Sequence, residues 1–416
     1  MNSYNKTILS NGIRIISENI PYVQSFSLGF WFNVGSRDES KRNNGITHFI
    51  EHMLFKGTKR RSSRKIAEDI ESYGGYLNAF TSKENTCYYG RGLISNLPRT
   101  FDVISDMIQN PSFKSSEIKK EAGVVVDELN DIDDNPEELI FDKFEEVLFS
   151  GNSLSMPIIG SEKNIRGFSQ KDLFNFIDEK YSFNNMLIAA SGNVEHEKII
   201  KLTEKFFLKD MGQRSTKRKL LSIFPAPDHR IDKPVQQVHM IIGRATYGYK
   251  DKKRITANIL SHILGEGSSS RMFQTIREKH GIAYQLNSFL NSFYDVSSFG
   301  IYLSTNEKQS DKAHSLVLNE FKKIRGKLVS DKELKKAKEY IKGNIILSLE
   351  STTSRMFRMA NSELYYNRLV TIDELTKMID SVTPQEIIEI ANEILEENYL
   401  TKIIISPSDL VLKSAA

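Results

Sequence analysis

The sequence is short of three things: cysteine, long apolar runs and an excess of charge of one sign. Its single cysteine, Cys87, can form no internal disulfide and builds no cysteine-based metal site, which indicates a reducing compartment. The longest apolar runs fall far short of the about 20 residues that cross a bilayer, so no membrane role is indicated. The 57 basic and 53 acidic residues are interleaved and leave a net charge of +4, which does not favour a nucleic-acid partner.

An apolar targeting segment is also missing at the N-terminus. Strand-like sequence begins by Lys6, and Asn11 and Gly12 follow as the two-residue turn of a β-hairpin. We therefore expect the chain to remain in the cytoplasm, as a bacterial-type protein without a signal peptide or a transit segment.

What the sequence does contain is an internal repeat. A chain of 416 residues fits two domains of about 200 residues each. Residues 209–234 are basic and then punctuated by prolines, as is typical of a linker. We predict a catalytic domain at 1–208 and a second repeat domain without metal at 235–416. Three features of the first half recur 206 to 214 residues later: a final strand (Met186, then Leu400), a histidine triplet (52–54, then 262–264) and a helix end (70–75, then 276–281).

Each half is predicted to contain strands, two helices, a pair of strands, a long helical stretch, a further helix and a final strand. Few crossover helices lie directly between strands, so most strands should pair antiparallel. We predict the α+β fold class, with two homologous domains that each form a largely antiparallel sheet with helices packed on one face.

The pattern that points to a function is H-x-x-E-H at residues 48–52. The segment 45–56 is predicted to be a helix, on which residues at i and i+4 share one face. His48 and His52 can therefore bind one metal ion, with Glu51 beside them as a catalytic base. Chance gives this pattern roughly 0.01 times in a chain of this composition, so two unrelated histidines are the weaker interpretation.

A catalytic zinc ion needs three protein ligands and an open position for water, so a third ligand must come from elsewhere in the chain. The segment 116–129 is predicted to be a helix with Glu121 and Glu128 on the same face. We predict that Glu128 completes the ligand set and that Glu121 orients one of the other ligands. Two neutral imidazoles and one carboxylate leave positive charge on the metal, which lowers the pKa of a bound water to about 7.

The inverted order of the motif marks the inverzincin peptidases. Its flanks, at 43–47 and 53–58, resemble the pitrilysin and insulin-degrading group, and most closely the mitochondrial processing peptidase and its bacterial relatives. The resemblance covers essentially the whole chain. It implies one Zn²⁺ ion per chain, with the third ligand at Glu128 and a supporting acid at Glu121, in agreement with the choice made from the residues alone.

The same resemblance implies contacts with a peptide substrate. Arg277 and Tyr284 match a pair that contacts the substrate and stabilises the oxyanion. From the sequence alone, they are as well explained as a surface residue and a core residue. The segment 76–82 is similar to the family's edge strand, which binds an extended peptide by β-augmentation; without the resemblance it is simply a strand. The edge-strand residues concerned are Asn78, Ala79 and Phe80.

Glu138 and Asp142, spaced i and i+4 on a predicted helix, coincide with acids that receive an arginine upstream of the cleaved bond in the processing peptidase. This match implies substrates with Arg or Lys a few residues before the cut. An acidic run of this kind is more often a solvated helix face, and that interpretation stays open.

Together these features predict a metalloendopeptidase that hydrolyses unfolded or short peptides, with water activated by zinc and Glu51. Relatives enclose their substrate between two bowl-shaped halves, so the resemblance implies a homodimer with a closed chamber, in which Arg277 and Tyr284 reach the partner's zinc. The alternative is a catalytically inactive structural or partner subunit of a processing-peptidase-like assembly. A zinc-bound peptide-binding module without turnover is a third interpretation.

Overall fold

The computed structural model describes residues 3–207, 218, 220–221 and 226–407. Two β-sheets and a set of helices make up this part of the chain, which confirms the predicted α+β class. Much of the predicted linker at 209–234 lies outside the described residues, although His229–Lys233 form a strand. The predicted boundaries of the two domains stay predictions.

The first sheet contains six strands: β1 (Ser3–Ile8), β2 (Arg14–Asn19), β3 (Ser25–Phe32), β4 (Tyr76–Thr81), β5 (Thr86–Leu93) and β6 (Met186–Gly192). Their spatial order is β1-β2-β6-β3-β5-β4, in which β2 and β6 are parallel and all other neighbours are antiparallel. The predicted hairpin joins β1 to β2, and Gly12 has a φ of 94°, which glycine adopts without strain. Strand β4 lies at one edge of this sheet.

The second sheet contains five strands: β7 (His229–Lys233), β8 (Val238–Tyr247), β9 (Ala283–Ser292), β10 (Val296–Thr305) and β11 (Thr401–Pro407). Their spatial order is β7-β11-β8-β10-β9, with β7 and β11 parallel and the other neighbours antiparallel. This order matches β2-β6-β3-β5-β4 of the first sheet strand for strand. The predicted repeat is therefore present in the topology.

Helices cover these sheets, and a π-helical segment at Phe273–Lys279 precedes β9. No helix in the described part of the chain is both long and apolar enough to span a bilayer. The α-helices of the described residues are α1 (Ile46–Leu54), α2 (Ser63–Glu71), α3 (Leu97–Gln109), α4 (Ser115–Asp134), α5 (Pro136–Leu148), α6 (Glu162–Gly167), α7 (Gln170–Lys180), α8 (His196–Phe206), α9 (Lys253–Gly265), α10 (Ser310–Gly326), α11 (Asp331–Ser348), α12 (Thr352–Tyr366), α13 (Ile372–Ser381) and α14 (Pro384–Ile394).

The chain divides into two compact units, each of which takes one segment from the other half of the sequence. Helix α5 follows the first long helical stretch, yet it belongs to the second unit. Helix α12 follows the second such stretch, yet it belongs to the first unit. A single cut in the chain therefore does not separate the units. The first is formed by Met1–Asn130, Met156–Lys219 and Ile346–Leu369, and the second by Asp131–Ser155, Leu220–Ile345 and Val370–Ala416.

In the first unit, helices cover both faces of the sheet, so the predicted class is right but the expectation of helices on one face only is wrong. On one face Phe30 packs edge-on against Phe101 of α3, with ring centroids 5.0 Å apart. On the other face Trp31 and Cys87 lie in one buried cluster with Met356 of α12. Because neighbouring residues of a strand point to opposite faces, Phe30 and Trp31 contribute one side chain to each layer.

In the second unit, the sheet is again buried on both faces. Met240 and Ile242 of β8 lie in a cluster with side chains of α9, α10 and α14. Ile241, which points the other way, lies in a second cluster with Phe144 of α5. A strand with two buried faces carries a nearly continuous apolar run, and this run does not indicate which helix covers which face.

Candidate metal centre

Helix α1 carries the H-x-x-E-H motif on its half-buried side. Phe49, Ile50 and Met53 point into the core and are 0 to 1% exposed. His48 and His52 lie on the opposite side, one turn apart, as the i and i+4 spacing predicts. The apolar face therefore fixes the rotation of α1 and directs the two imidazoles to one place.

The start of α1 requires a glycine. Gly45 has a φ of 96°, in the left-handed region that favours glycine. A Cβ atom added there would lie 2.5 Å from the carbonyl oxygen of Ile159, which is too close for any side chain. The helix consequently begins at a fixed point against the backbone of another segment.

The third predicted ligand lies beside the two imidazoles. Nε2 of His48 is 3.8 Å from Oε1 of Glu128, and Nε2 of His52 is 3.6 Å from Oε2 of Glu128. The three candidate ligand atoms all lie within 4.8 Å of one another. Helix α4 thus brings Glu128 to the motif, although 76 residues separate it from His52 in the sequence.

These distances fit a tetrahedral zinc site. Zinc binds imidazole nitrogen and carboxylate oxygen at about 2.0–2.1 Å, so neighbouring ligand atoms in a tetrahedron lie roughly 3.3 Å apart. The two nitrogen-to-oxygen distances exceed this separation by only a few tenths of an ångström. Among the described residues, His48, His52 and Glu128 form the one group of three or more potential metal-ligating side chains that are this close.

The protonation of the two histidines differs. Burial, reinforced by the neighbouring His52, lowers the pKa of His48 to about 4. His48 is therefore neutral near pH 7, which is the form that binds a metal. Burial acts in the same direction on His52 and is the largest single effect, but the hydrogen bond with Glu121 and the charges of the nearby carboxylates together outweigh it and raise the pKa of His52 above the ordinary value.

Glu121 binds the ring nitrogen of His52 that does not face Glu128. Its Oε1 accepts a hydrogen bond from Nδ1 of His52 at 2.9 Å, and its Oε2 lies 2.7 Å from Nζ of Lys56. Burial alone would raise the pKa of Glu121, but its bonds to His52 and Lys56 lower it below the ordinary value, so the carboxylate is ionised. A proton fixed on Nδ1 leaves the lone pair on Nε2, which faces Glu128.

Glu51 lies beside the ligands and has its own partner. The hydroxyl of Thr81, at the end of β4, donates to Oε2 of Glu51 at 2.5 Å. Burial raises the pKa of Glu51, while the bond from Thr81 opposes that shift. A carboxylate with a raised pKa accepts a proton from water more readily than an exposed one, as a general base requires.

Strand β4 lies next to this cluster, and among the described residues it is the last strand of its sheet, so its outer edge pairs with no other strand there. Tyr76, Asn78 and Phe80 are exposed, whereas the residues between them are partly covered, which is the alternation expected of a strand. The N–H of Ala79 donates to the side-chain oxygen of Asn78 at 2.8 Å. The edge predicted from the sequence therefore exists, with its predicted residues at the centre.

Arg277 and Tyr284 are brought together in the second unit. The guanidinium carbon of Arg277 lies 5.2 Å from the ring centre of Tyr284 and 4.8 Å from that of Phe273, both within the range of a cation–π interaction. Tyr284 is 75% exposed, so the alternative of a core residue does not describe it. The catalytic role of this pair stays a prediction.

Glu138 and Asp142 lie on α5, also in the second unit. The buried side chains of α5 include Leu139 and Ile140, whereas Glu138 is exposed and Asp142 is half-buried. The side-chain amide of Asn135 donates to Oε1 of Glu138 at 2.9 Å. This arrangement is compatible both with substrate contact and with a solvated helix face, and the role predicted from the resemblance stays a prediction.

Three contacts at the site were not predicted from the sequence. Thr81 was inside the predicted edge strand, and alternation along β4 would have placed it on the side opposite Phe80. Lys56 lies four residues after His52, inside the predicted helix 45–56 although α1 ends at Leu54, so the i and i+4 rule could have indicated its contact with Glu121. Glu39, which contacts the start of α1, precedes the helix by several residues and has no periodicity to reveal it.

Comparison with known proteins agrees with this geometry. Residues 14–162 match the insulinase family, peptidase family M16, and residues 167–341 match the peptidase M16 inactive domain. The helix-borne H-x-x-E-H cluster and the repeated α+β fold place the chain in the inverzincin class. The chain belongs to peptidase family M16.

Its relatives match over nearly their whole length. YmxG of Bacillus subtilis, named as an uncharacterized zinc protease, is 34% identical over 403 residues, which cover 96% of this chain and 97% of YmxG. An uncharacterized zinc protease of Streptomyces coelicolor is 32% identical over 400 residues, 94% of this chain and 87% of that protein. The prediction of a zinc cofactor is thus supported by the names of the relatives and by the His–His–Glu cluster.

Solved structures confirm the fold. A protease from Helicobacter pylori has a TM-score of 0.92 at 22% identity, covering 98% of this chain and all of that one. A peptidase M16 inactive domain from Pseudomonas fluorescens has a TM-score of 0.91 at 18% identity and covers 97% of this chain and 98% of that one. At these identities the likeness concerns the fold and carries no argument about substrates.

Proposed function

We propose that this chain is a zinc-dependent endopeptidase that cleaves unfolded or short peptides. The observation that carries the proposal is the convergence of His48, His52 and Glu128 around one point, with the carboxylate of Glu51 beside them. A structural subunit that binds no metal would not require these side chains to lie so close together. Membership of peptidase family M16 supports the same conclusion.

His48, His52 and Glu128 would hold the zinc ion, and Glu121 would keep the His52 ring in its ligating orientation. When bound, zinc supplies a Lewis acid that polarises the peptide carbonyl and makes water a stronger acid at neutral pH. Three protein ligands would leave the ion accessible to water and substrate, as in other zinc hydrolases.

Glu51 would handle the proton. Its carboxylate accepts a proton from the attacking water and then delivers it to the amine that leaves when the peptide bond breaks. Thr81 holds the Oε2 atom of Glu51, so that rotation of the carboxylate is restricted. Its burial and raised pKa support this role, because both favour proton transfer to and from Glu51 near neutral pH.

The edge of β4 would align the substrate. An extended peptide can pair with this edge through main-chain hydrogen bonds, which explains how unfolded chains of different sequence are accepted. The N–H of Ala79, now bonded to the side chain of Asn78, would turn to the peptide when the peptide binds. Because β4 ends at Thr81, which touches Glu51, a peptide paired along it is led toward the catalytic base.

We further propose that the active form is a cytoplasmic homodimer with a closed chamber. In it, Arg277 and Tyr284 of one chain stabilise the oxyanion at the zinc site of the partner chain. Glu138 and Asp142 would favour substrates with Arg or Lys upstream of the cut. The stacking of Arg277 on an exposed tyrosine supports the pair's role, since it holds the guanidinium at the surface.

The direct test is cleavage of an unstructured peptide mixture by the purified chain. We expect cleavage that a chelator stops and added zinc restores, with products analysed by mass spectrometry for basic residues before the cut. A protein that binds zinc and peptide but leaves the peptide intact would be a binding module, and the proposal would be wrong. A protein without zinc affinity would be a structural subunit.

The dimer has its own test, which uses two inactive variants. Glu51→Gln chains and Arg277→Ala chains are each expected to have little activity alone. If Arg277 acts across the interface, a mixed dimer contains one intact site, so mixing the two variants should restore up to about a quarter of the wild-type rate per chain. No recovery after demonstrated exchange of chains would show that Arg277 acts within its own chain.

A further inference from the structure

Helix α1 begins at a residue that cannot cap it. The first N–H groups of a helix have no partner within the helix, and a side-chain oxygen at the N-cap position commonly accepts them. In α1 that position is Gly45, which has no side chain. The backbone needs the glycine there, so the cap must come from another residue.

Glu39 supplies it from six residues upstream. Its Oε2 accepts the N–H of Gly45 at 2.8 Å, and its Oε1 accepts the N–H of Thr47 at 2.8 Å. The side-chain amide of Asn44 donates to the same carboxylate at 2.9 Å and is itself close enough to donate to the carbonyl of Pro157. One carboxylate thus accepts two N–H groups at the start of the helix, those of Gly45 and Thr47.

The placement of this carboxylate is unusual in its burial. Glu39 is 7% exposed, and burial raises its pKa to about 7, although its hydrogen bonds with Thr47, Gly45 and Asn44 oppose that shift. A buried carboxylate at a helix N-terminus is stabilised by the aligned peptide dipoles and by the N–H groups it accepts. The start of α1 therefore offsets part of the cost of burying this carboxylate.

We infer that Glu39 is a positioning residue for the catalytic centre: by clamping the first turn of α1, it fixes the direction in which His48, Glu51 and His52 project. Thr47, whose N–H it binds, directly precedes His48. Without the hydrogen bonds to Glu39, the first turn of α1 frays and His48 moves relative to Glu128. This inference rests on the proposed function, because it concerns the residues assigned there to zinc and to the proton.

The competing explanation is that Glu39 only stabilises the fold, as any buried hydrogen-bonded carboxylate does. A matched control separates the two. Glu363 of α12 is a fully buried carboxylate of the same unit, and it binds Lys6 and Arg14 rather than α1. Glu363→Gln should destabilise the fold without changing the geometry of α1.

The experiment compares the full-length wild type with Glu39→Gln and Glu363→Gln. Zinc affinity is measured by competition with a chromogenic chelator, and kcat and KM with a quenched unstructured peptide. Hydrogen exchange of the peptides that cover α1 reports the cap directly. For Glu39→Gln we expect about tenfold weaker zinc binding, about tenfold lower kcat, KM within twofold of the wild type, and faster exchange confined to residues 45–49. For Glu363→Gln we expect a lower Tm with zinc affinity, kcat and exchange in α1 unchanged.

The inference is overturned if Glu39→Gln has wild-type zinc affinity and kcat, or if Glu363→Gln lowers both to the same extent. Should Glu39→Gln fail to fold, Asn44→Ala removes one bond to the carboxylate and is expected to give a smaller effect of the same kind. If the wild type neither binds zinc nor cleaves peptide, the proposed function has failed, and exchange at residues 45–49 still decides whether Glu39 clamps α1.

Discussion

Helices α1 and α9 occupy the same place in two sheets of the same strand order, yet they differ in chemistry. The alignment that pairs His52 with His262 places Asn258 and Ser261 opposite His48 and Glu51. In α9 the remaining imidazole has no metal-ligating neighbours of the kind seen in α1, within the described part of the chain. The described part of the second unit therefore contains the corresponding helix but no corresponding metal cluster.

The histidine that remains is bound in a different way. Nδ1 of His262 bonds to Glu266, the residue directly after the end of α9, at 2.8 Å, and its ring stacks on Tyr340 with centroids 4.5 Å apart. His52, by contrast, bonds to Glu121 from another helix. The carboxylate of Glu121 binds Nδ1 of His52 and leaves its Nε2 facing Glu128.

The second long helix differs in the same sense. When α4 and α11 are aligned at their first residues, Ala337 and Asn344 stand opposite Glu121 and Glu128. The fold therefore depends on the apolar pattern that both halves share. The chemistry depends on four polar residues that only the first half has, namely His48, Glu51, Glu121 and Glu128. Matched substitutions in the two halves test this division.

The largest effect is expected when the third ligand is removed. Glu128→Ala leaves two imidazoles, which do not hold zinc in a catalytic site, so both zinc and activity should be lost. Asn344→Ala, at the matching position of α11, should change neither. Zinc content after dialysis and the rate of peptide cleavage check both. Full zinc occupancy in Glu128→Ala would remove this residue from the ligand set.

Removing the base should spare the metal. Glu51→Gln keeps the shape of the side chain but cannot accept the proton, so kcat should fall by about 10² to 10⁴ with zinc content unchanged. Ser261→Ala, its counterpart on α9, should leave the rate as it is. The assignment of Glu51 fails if the variant keeps more than a tenth of the wild-type kcat.

A smaller effect is expected behind the ligands. Glu121→Gln weakens the bond that orients His52 and removes the charge near Lys56, so zinc affinity should fall by about 10- to 100-fold. Glu266→Gln changes the matching partner of His262 and should leave zinc affinity and activity unaltered. Equal losses in the two variants would contradict the difference drawn between α1 and α9.

The smallest effect concerns pH and compares one histidine of each unit. Burial lowers the pKa of His239 in the second unit and of His196 in the first. The unfolded chain therefore takes up these protons at a higher pH than the folded one, and stability present above about pH 6.5 is lost as the pH falls through the folded pKa. These two histidines therefore lower the free energy of unfolding between pH 7 and pH 5, and we expect the change over this range to be more favourable to the folded state in His239→Gln and in His196→Gln than in the wild type. Urea unfolding at the two pH values measures the slopes, and unchanged slopes in both variants would contradict the expectation.

The sequence predicted those parts of the site that follow from helical spacing. His48, Glu51 and His52 lie on one turn, and Glu121 and Glu128 are two turns apart on another helix, so periodicity alone placed each group on a face. That the two faces would meet was inferred from the need for a third ligand, and the family resemblance agreed with that choice. The largely antiparallel character of the sheets was also predicted, because few crossover helices lie directly between strands, whereas the strand order was not.

What could not be predicted depends on contacts between segments without a shared period. Thr81 reaches Glu51 from the end of a strand, and Glu39 reaches α1 from a loop. The exchange of α5 and α12 was equally hidden, since an amphipathic helix shows that it has an apolar face but not which sheet the face covers. Trp31 and Phe144 mark the two covered surfaces only once the fold is known.

The exchange of these two helices has a consequence for the order of events on the ribosome. The last strand of the first sheet ends at Gly192, but the helix that covers its second face begins only at Thr352. Until 160 further residues have been synthesised, the apolar side chains around Trp31 and Leu187 lack the helix that buries them. They therefore stay accessible to water and to chaperones. The two halves share one strand order, but the first unit includes a helix from the second half of the sequence. The first unit can therefore complete its layers only after most of the chain has been synthesised.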